Sequence, residues 1–167
     1  MKYIVDTQML VRAVRSDREA ERYKTFLAAF SPSVYLCSVV AQELLAGSRE
    51  EEERRLRTFI VPFEKLRRTA TPTHASWKRA GEILCELRLA GFTITPSLTN
   101  DVVIACTSTQ IGAEVIHDNA RDFRAIQARL AFQHRSGYPD RPPREGNPTP
   151  GAVRHTRARR PSRGRRG

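Results

Sequence analysis

Carboxylates stand at four places where the surrounding pattern would aim them at one site: Asp6, Glu43, Asp101 and the run holding Asp118, Asn119 and Asp122. Asp6 closes the apolar run Tyr3-Ile4-Val5, which suits a buried parallel strand. Ligands of open parallel sheets bind beyond the carboxyl ends of the strands, so an acid there faces a site; it is equally a good cap for a following helix. Glu43, in a helix from Val39 to Ala46, has Val39, Val40 and Ala46 at i−4, i−3 and i+3. That places a carboxylate on an apolar stripe, where an ionised acid needs a partner; the adjacent Gln42 leaves a boundary position open as well. Asp101 precedes Val102-Val103-Ile104-Ala105 and reads locally as a first-turn acid. Asp118, Asn119 and Asp122 follow a strand ending at His117 and read locally as a turn and a cap, and a lone histidine such as His117 is ordinarily structural.

The set says more than its members. A parallel sheet gathers strand ends and helix starts at one edge. Several carboxylates in one pocket repel unless divalent cations neutralise them, and oxygen-only ligands select Mg2+ or Mn2+. Such sites serve phosphate chemistry: the ions activate a water, bridge the phosphate and stabilise the leaving oxygen.

The elements that must position these acids follow from periodicity. Strands are expected at Tyr3–Val5, Val34–Cys37, near Phe63–Leu66, at Glu114–His117 and at an edge over Leu130–Phe132. Helices are expected between them. The first covers roughly Met9–Val14. A second, opened by a Ser16/Glu19 capping box, runs to about Phe30, and a third is capped by Ser38 and ended by Gly47. A charged helix over 49–60 carries Glu50/Arg54, Glu51/Arg55 and Glu53/Arg57 pairs. One helix starts at Thr71-Pro72, shows Trp77, Ala80, Leu84 and Leu87 on its inner face and stops at Gly91; the next is capped by Thr99 or Asn100 and closed by Gly112. The last starts at Asp122. The alternation implies an α/β domain with a parallel central sheet.

The 167 residues carry 29 Lys plus Arg against 18 Asp plus Glu, a formal charge of +11. Residues 134–167 account for most of it, with ten Arg, two acids, six of the ten prolines and five of the nine glycines. The expected organisation is therefore a domain over 1–133 and a disordered Arg/Pro/Gly-rich tail over 134–167. The tail has three readings: a nonspecific RNA-binding arm, a contact for an acidic partner, or translated GC-rich sequence without a role. No apolar run approaches the ~18 residues of a membrane helix, and the first residues lack a signal's apolar core. The three cysteines, Cys37, Cys85 and Cys106, are far apart and in apolar surroundings, which fits reduced thiols in a cytoplasmic protein. The four histidines make no HxxxH pattern, so zinc is not expected. Walker, G-x-G-x-x-G and G-x-S-x-G motifs are absent. Gln8 stands where a D-x-D phosphatase motif needs its second acid, and Lys65 alone in the body lies near an expected strand end, which leaves phosphotransfer unsupported.

The residues also resemble a known family. Tyr3-Ile4-Val5-Asp6-Thr7 with Leu10 resembles the opening motif of PIN domains. Ser38 to Gly47 is similar to the second motif with Glu43 as its acid, and Asn100-Asp101 before Val102–Cys106 to the third. Asn119-Ala120-Arg121-Asp122-Phe123 resembles the fourth, N-x-x-D-F. The resemblance spans about residues 2–132 and is nearest to VapC-type toxin ribonucleases. It implies a three-layer α/β/α PIN-like fold with a central, mostly parallel sheet. It implies Mg2+- or Mn2+-dependent endoribonuclease activity as the toxin of a type II toxin–antitoxin pair. Asp6, Glu43, Asp101 and Asp122 then take the catalytic and metal-ligating positions, Asp122 as a supporting ligand, with Thr7 and Asn119 in support. An RNA substrate, a cognate antitoxin and a homodimer are the implied partners, without a membrane. His117 departs from the family pattern, which commonly has Thr two residues before the position of Asn119. The alternative is a catalytically weak PIN-like module that binds RNA or a partner through the basic tail.

Overall fold

The structure is a computed structural model and describes residues 1–140. Its parallel strands are β1 (Lys2–Val5), β2 (Val34–Cys37), β3 (Thr69–Ala70), β4 (Ala113–His117) and β5 (Gln133–Ser136), arranged in the order β3-β2-β1-β4-β5. The helices are α1 (Thr7–Arg15), α2 (Asp17–Phe30), α3 (Ser38–Ala46), α4 (Glu50–Lys65), α5 (His74–Leu89), α6 (Pro96–Ile111) and α7 (Ala120–Gln127). Right-handed crossovers put α1–α4 on one side of the sheet and α5–α7 on the other, and the helices pack mainly within these two groups. This is the expected three-layer α/β/α architecture.

Strand order reverses between β1 and β4. The crevice at the carboxyl ends of those two strands is the topological switch point of the sheet. Val5 pairs with Ile116 there, and the Asp6 N–H donates to the Ile116 carbonyl at 2.8 Å. Helix α6 is buried almost all round from Asp101 to Ser108, as its apolar run requires. Thr107 and Ser108 survive in that core because their hydroxyls donate to the Val103 and Ala105 carbonyls. Gly112, at φ +65°, ends the helix in a conformation that strains other residues and lets the chain enter β4 directly.

Several elements differ from expectation. Helix α4 continues through Pro62 to Lys65, so no strand forms at 63–66. Leu56 and Ile60 are buried on that helix and Phe59 meets Phe63 at 5.7 Å, which outweighs the proline penalty; the strand comes later, at Thr69–Ala70. Helix α6 starts at Pro96 with Thr95 as its cap, accepting from the Leu98 N–H, so Asp101 lies in the second turn. The Ser16 and Ser38 side chains form no cap bond, and Asn119 rather than Asp122 caps α7. Of the three expected pairs on α4, Glu53–Arg57 forms among the described residues. On α5 the inward face is Ser76, Ala80, Ile83 and Leu87, which turns Trp77 to 52% exposure.

The final strand is Gln133–Ser136 rather than 130–132. Its sequence is polar, and it is held by ladder bonds to β4, an Arg135–Glu114 ion pair at 3.0 Å and a His134–His117 contact. The chain then folds Tyr138 onto Phe26 of α2, with ring centroids 5.0 Å apart and nearly parallel. The first residues of the expected tail are thus part of the domain; residues 141–167 lie outside the described residues. Tyr138→Ala is expected to lower unfolding free energy by about 1–3 kcal/mol, and Tyr138→Phe to leave it nearly unchanged. Urea unfolding checks this, and a silent Tyr138→Ala would show that the domain ends before this residue.

Candidate active site

The acids at the switch point are delivered by five different elements. Asp6 is the extended residue between β1 and α1 and is only 2% exposed. Thr7 opens α1 and is also buried. Glu43 comes from the middle of α3, half-buried, and both its oxygens are engaged: Oε2 accepts from Thr7 Oγ1, and Oε1 accepts from Asn100 Nδ2 at 2.7 Å. Asp101, the next residue on α6, is 6% exposed. Asn119, capping α7, donates its amide to Asp101 Oδ2 at 3.3 Å and to Asp122 Oδ2 at 2.7 Å. Its Oδ1 accepts the Asp122 N–H at 3.4 Å. Asp118, at the end of β4, is paired with Arg12 of α1.

Burial raises the Asp101 carboxyl to about 8, with the charges of Asp6, Asp122 and Glu43 adding to it and the Asn119 amide opposing. Burial likewise raises Asp6 to about 6; the Thr7 and Gln8 N–H groups oppose this, and the charges of Glu43 and Asp118 add to it. The acids therefore act on one another as one field. Among the described residues, however, no three His, Cys, Asp or Glu side chains converge as a ready ion cage. Glu43 and Asp122 are instead directed onto neutral donors, which is how carboxylates crowded together reduce repulsion.

All six residues expected at the site, Asp6, Thr7, Glu43, Asp101, Asn119 and Asp122, belong to this connected group. His117 does not. It is 1% exposed, stacks on Phe123 at 4.2 Å and shares a 2.8 Å hydrogen bond between Nε2 and His134 Nδ1. Burial, then His134, lowers it to about 4. Its role is to tie β4, β5 and α7 together behind the acids. Two participants were not singled out as site residues from sequence. Asn100 reads in the sequence as a candidate helix cap and as the neighbour of Asp101, not as a partner of Glu43. Arg12 meets Asp118 from 106 positions away, a pairing without any local signal.

A family model described as PIN domain matches residues 3–129. A search of curated proteins gave no match. Among solved structures, the chain is similar to one in DNA-bound VapBC from Salmonella typhimurium, at TM-score 0.62 and 20% identity, covering 81% of this chain and 98% of that one. VapBC2 from Rickettsia felis bound to a promoter DNA fragment gives TM-score 0.57 and 21% identity, covering 81% and 98%. FitAB bound to the IR36 DNA fragment gives 0.61 and 18%, covering 82% and 96%.

The raised carboxyls give the ion-free protein a defined pH response. Asp101 titrates near 8 in the folded chain against an ordinary value of 3.8, so the folded state binds more protons between those limits. Stability is then full below about pH 4 and declines as pH rises towards 8. Asp101→Asn removes this loss. In chelator at pH 8 the variant should melt at least about 2 °C above wild type, and the gap should close towards pH 4. Melting curves that stay parallel across this range would refute the mutual burial of these acids.

Proposed function

The chain belongs to the PIN-domain family, and on that footing we propose that it is a Mg2+- or Mn2+-dependent endoribonuclease, the toxin of a type II toxin–antitoxin pair. PIN domains are in general nucleases. The observation that carries the reading is the pair of buried acids Asp6 and Asp101 at the switch point, the charge of Asp6 acting on Asp101, with Glu43 and Asp122 adding theirs. The donor chemistry suits a hard dication: the ionisable groups that act on Asp101 are carboxylates, and the His117 imidazole is directed to His134. Asp6 and Asp101 would hold the ion, with Glu43 and Asp122 completing its surroundings. A bound Mg2+ or Mn2+ supplies Lewis acidity, easing deprotonation of water and offsetting phosphate charge.

The remaining work falls to the chain's own side chains. Thr7 and Asn100 hold the Glu43 carboxylate from both oxygens, leaving it one orientation. Asn119 fixes Asp101 and Asp122 relative to each other through one amide group. Hydrolysis forms a bond from water oxygen to phosphorus and breaks one ribose–phosphate ester bond; a carboxylate of the group takes the proton that water releases, and the departing ribose oxygen takes a proton from solvent to leave as a hydroxyl. A cognate antitoxin is part of the proposal, supported by the likeness in fold to chains of VapBC and FitAB assemblies; a homodimer is proposed with it from the family resemblance alone. The cytoplasm is the proposed compartment; among the described residues no helix is long and apolar enough to cross a membrane.

A second reading has one observation in its favour: Glu43 and Asp122 are already satisfied by neutral partners. On that reading the domain binds RNA or a protein without turnover, with the Arg-rich residues 141–167 as a basic arm. One experiment separates the two. Purified full-length chain should cleave RNA with Mg2+ or Mn2+, lose cleavage in chelator and regain it on adding the ion. Asp6→Asn and Asp101→Asn should each reduce cleavage at least about 100-fold with unchanged circular dichroism. Cleavage that persists in chelator, or RNA binding without cleavage under either ion, would overturn the nuclease assignment.

A further inference from the structure

Most of the clefts in the described surface avoid the acids. The largest, about 870 Å³, follows the outer side of α4 from Glu50 to Leu66 and contains no residue of the site. The crevice that includes Glu43 is only about 30 Å³. A third differs. It is about 450 Å³, lies between the 90–95 loop and the start of α7, and is lined by Phe92, Thr93, Thr95, Leu98, Arg121 and Asp122 among others. It therefore shares Asp122 with the carboxylate group. Its size falls in the range of small-ligand sites, about 300–1,000 Å³.

The cleft is built on anchored elements. Gly91, at φ +87°, turns the chain out of α5, and the Phe92 N–H returns to the Leu87 carbonyl at 3.0 Å. Thr95 caps α6, the helix that carries Asp101 six residues later, about 9 Å along the axis at 1.5 Å per residue. Arg121 and Asp122 sit in the first turn of α7, which Asn119 ties to Asp101. The loop wall and the arginine wall thus hold a fixed position relative to the acids. The Arg129 guanidinium covers the Phe92 ring at 5.8 Å and adds a second positive charge behind that wall. Arg121 is exposed and forms none of the ion pairs among the described residues.

Cation, hydroxyl and apolar surface occur here together beside an anionic centre. A nucleotide displays the complementary set: phosphate, sugar hydroxyl and base. We propose that this cleft holds the nucleotide adjoining the scissile phosphate of an RNA strand, with Arg121 on its phosphate, Thr93 facing its sugar, and the half-buried Phe92 against its base. The inference rests on the ribonuclease reading of the carboxylate group and assigns that site its neighbouring subsite. The opposed charges of Arg121 and Asp122 set the strand's position: one phosphate is drawn to the arginine while the next is delivered to the acids. Unstacked, single-stranded RNA is the form whose bases are free to enter such a cleft.

The test uses the full chain and a fluorescent single-stranded RNA of eight nucleotides. Cleavage with Mg2+ is expected to show KM raised at least about 10-fold in Arg121→Ala, with kcat within about 3-fold of wild type. Binding is read separately by anisotropy in the Asp101→Asn background. There Arg121→Ala should weaken binding and lower the slope of log K against log salt by about 0.7, the value of one phosphate contact on a single strand. Arg121→Lys should restore most of the affinity, and Thr93→Val should reduce the preference for RNA over DNA of the same sequence. Arg18→Ala, on α2, is the control and should change neither reading. If the chain cleaves RNA and Arg121→Ala is indistinguishable from wild type in KM and salt slope, the cleft assignment is overturned and the nuclease reading stands. If the chain binds RNA through Arg121 without cleaving it, the nuclease reading fails and with it the cleft's place beside a scissile phosphate, leaving Arg121 as a phosphate contact alone. RNA that is neither bound nor cleaved overturns both.

Discussion

Asp6 and Asp101 are withdrawn from water within reach of each other's charge and of Glu43's, and the surrounding structure is organised to hold that repulsion in place. Desolvation is the largest cause of both raised carboxyls; the charges of Asp6, Asp122 and Glu43 add to it at Asp101, and those of Glu43 and Asp118 at Asp6. Among the described residues neither acid forms an ion pair with a lysine or arginine; Arg12, which reaches the same edge, is paired with Asp118. The chain instead uses neutral donors. Thr7 and Asn100 occupy Glu43, and Asn119 divides its amide between Asp101 and Asp122. Neutral donors orient a carboxylate without cancelling its charge, which preserves a strong negative potential for a cationic ligand.

The sheet makes this arrangement possible. With every strand pair parallel, all carboxyl ends face one edge, and reversal of strand order between β1 and β4 opens a crevice there. Two helices then hold the acids. Helix α1 fixes Asp6 as its preceding residue. Helix α6, buried on almost every side, fixes Asp101 with little freedom to move. A rigid scaffold is what a strained electrostatic site needs, because a mobile one would let the carboxylates separate into water.

The far edge of the sheet contributes indirectly. His117 stacks on Phe123 and meets His134, so strand β4, strand β5 and helix α7 are joined directly behind Asn119 and Asp122. Beyond β5, Tyr138 closes over Phe26 of α2. His117 therefore contributes packing behind the acids and does not face them.

The sequence by itself determined the fold class, three of the five strands (β1, β2 and β4) to within a residue, and which acids gather at the switch point. Those rest on local signals: apolar runs for two-sided strands, and acids immediately after them. It did not determine β5, because Gln133–Ser136 has no apolar pattern and is a strand only through its pairing with β4. It misplaced the end of α4, because the packing of Phe59 and Phe63 overrides a proline's local preference. It put Asp101 in a first turn, where the helix dipole would have explained it; the Thr95-Pro96 start moves it inward and leaves burial to be explained by function. The partners of each acid were also beyond reach. Whether Glu43 meets Asn100, or Asn119 meets two aspartates, depends on which helix faces cross the switch point, and that is fixed by packing between residues far apart in the chain.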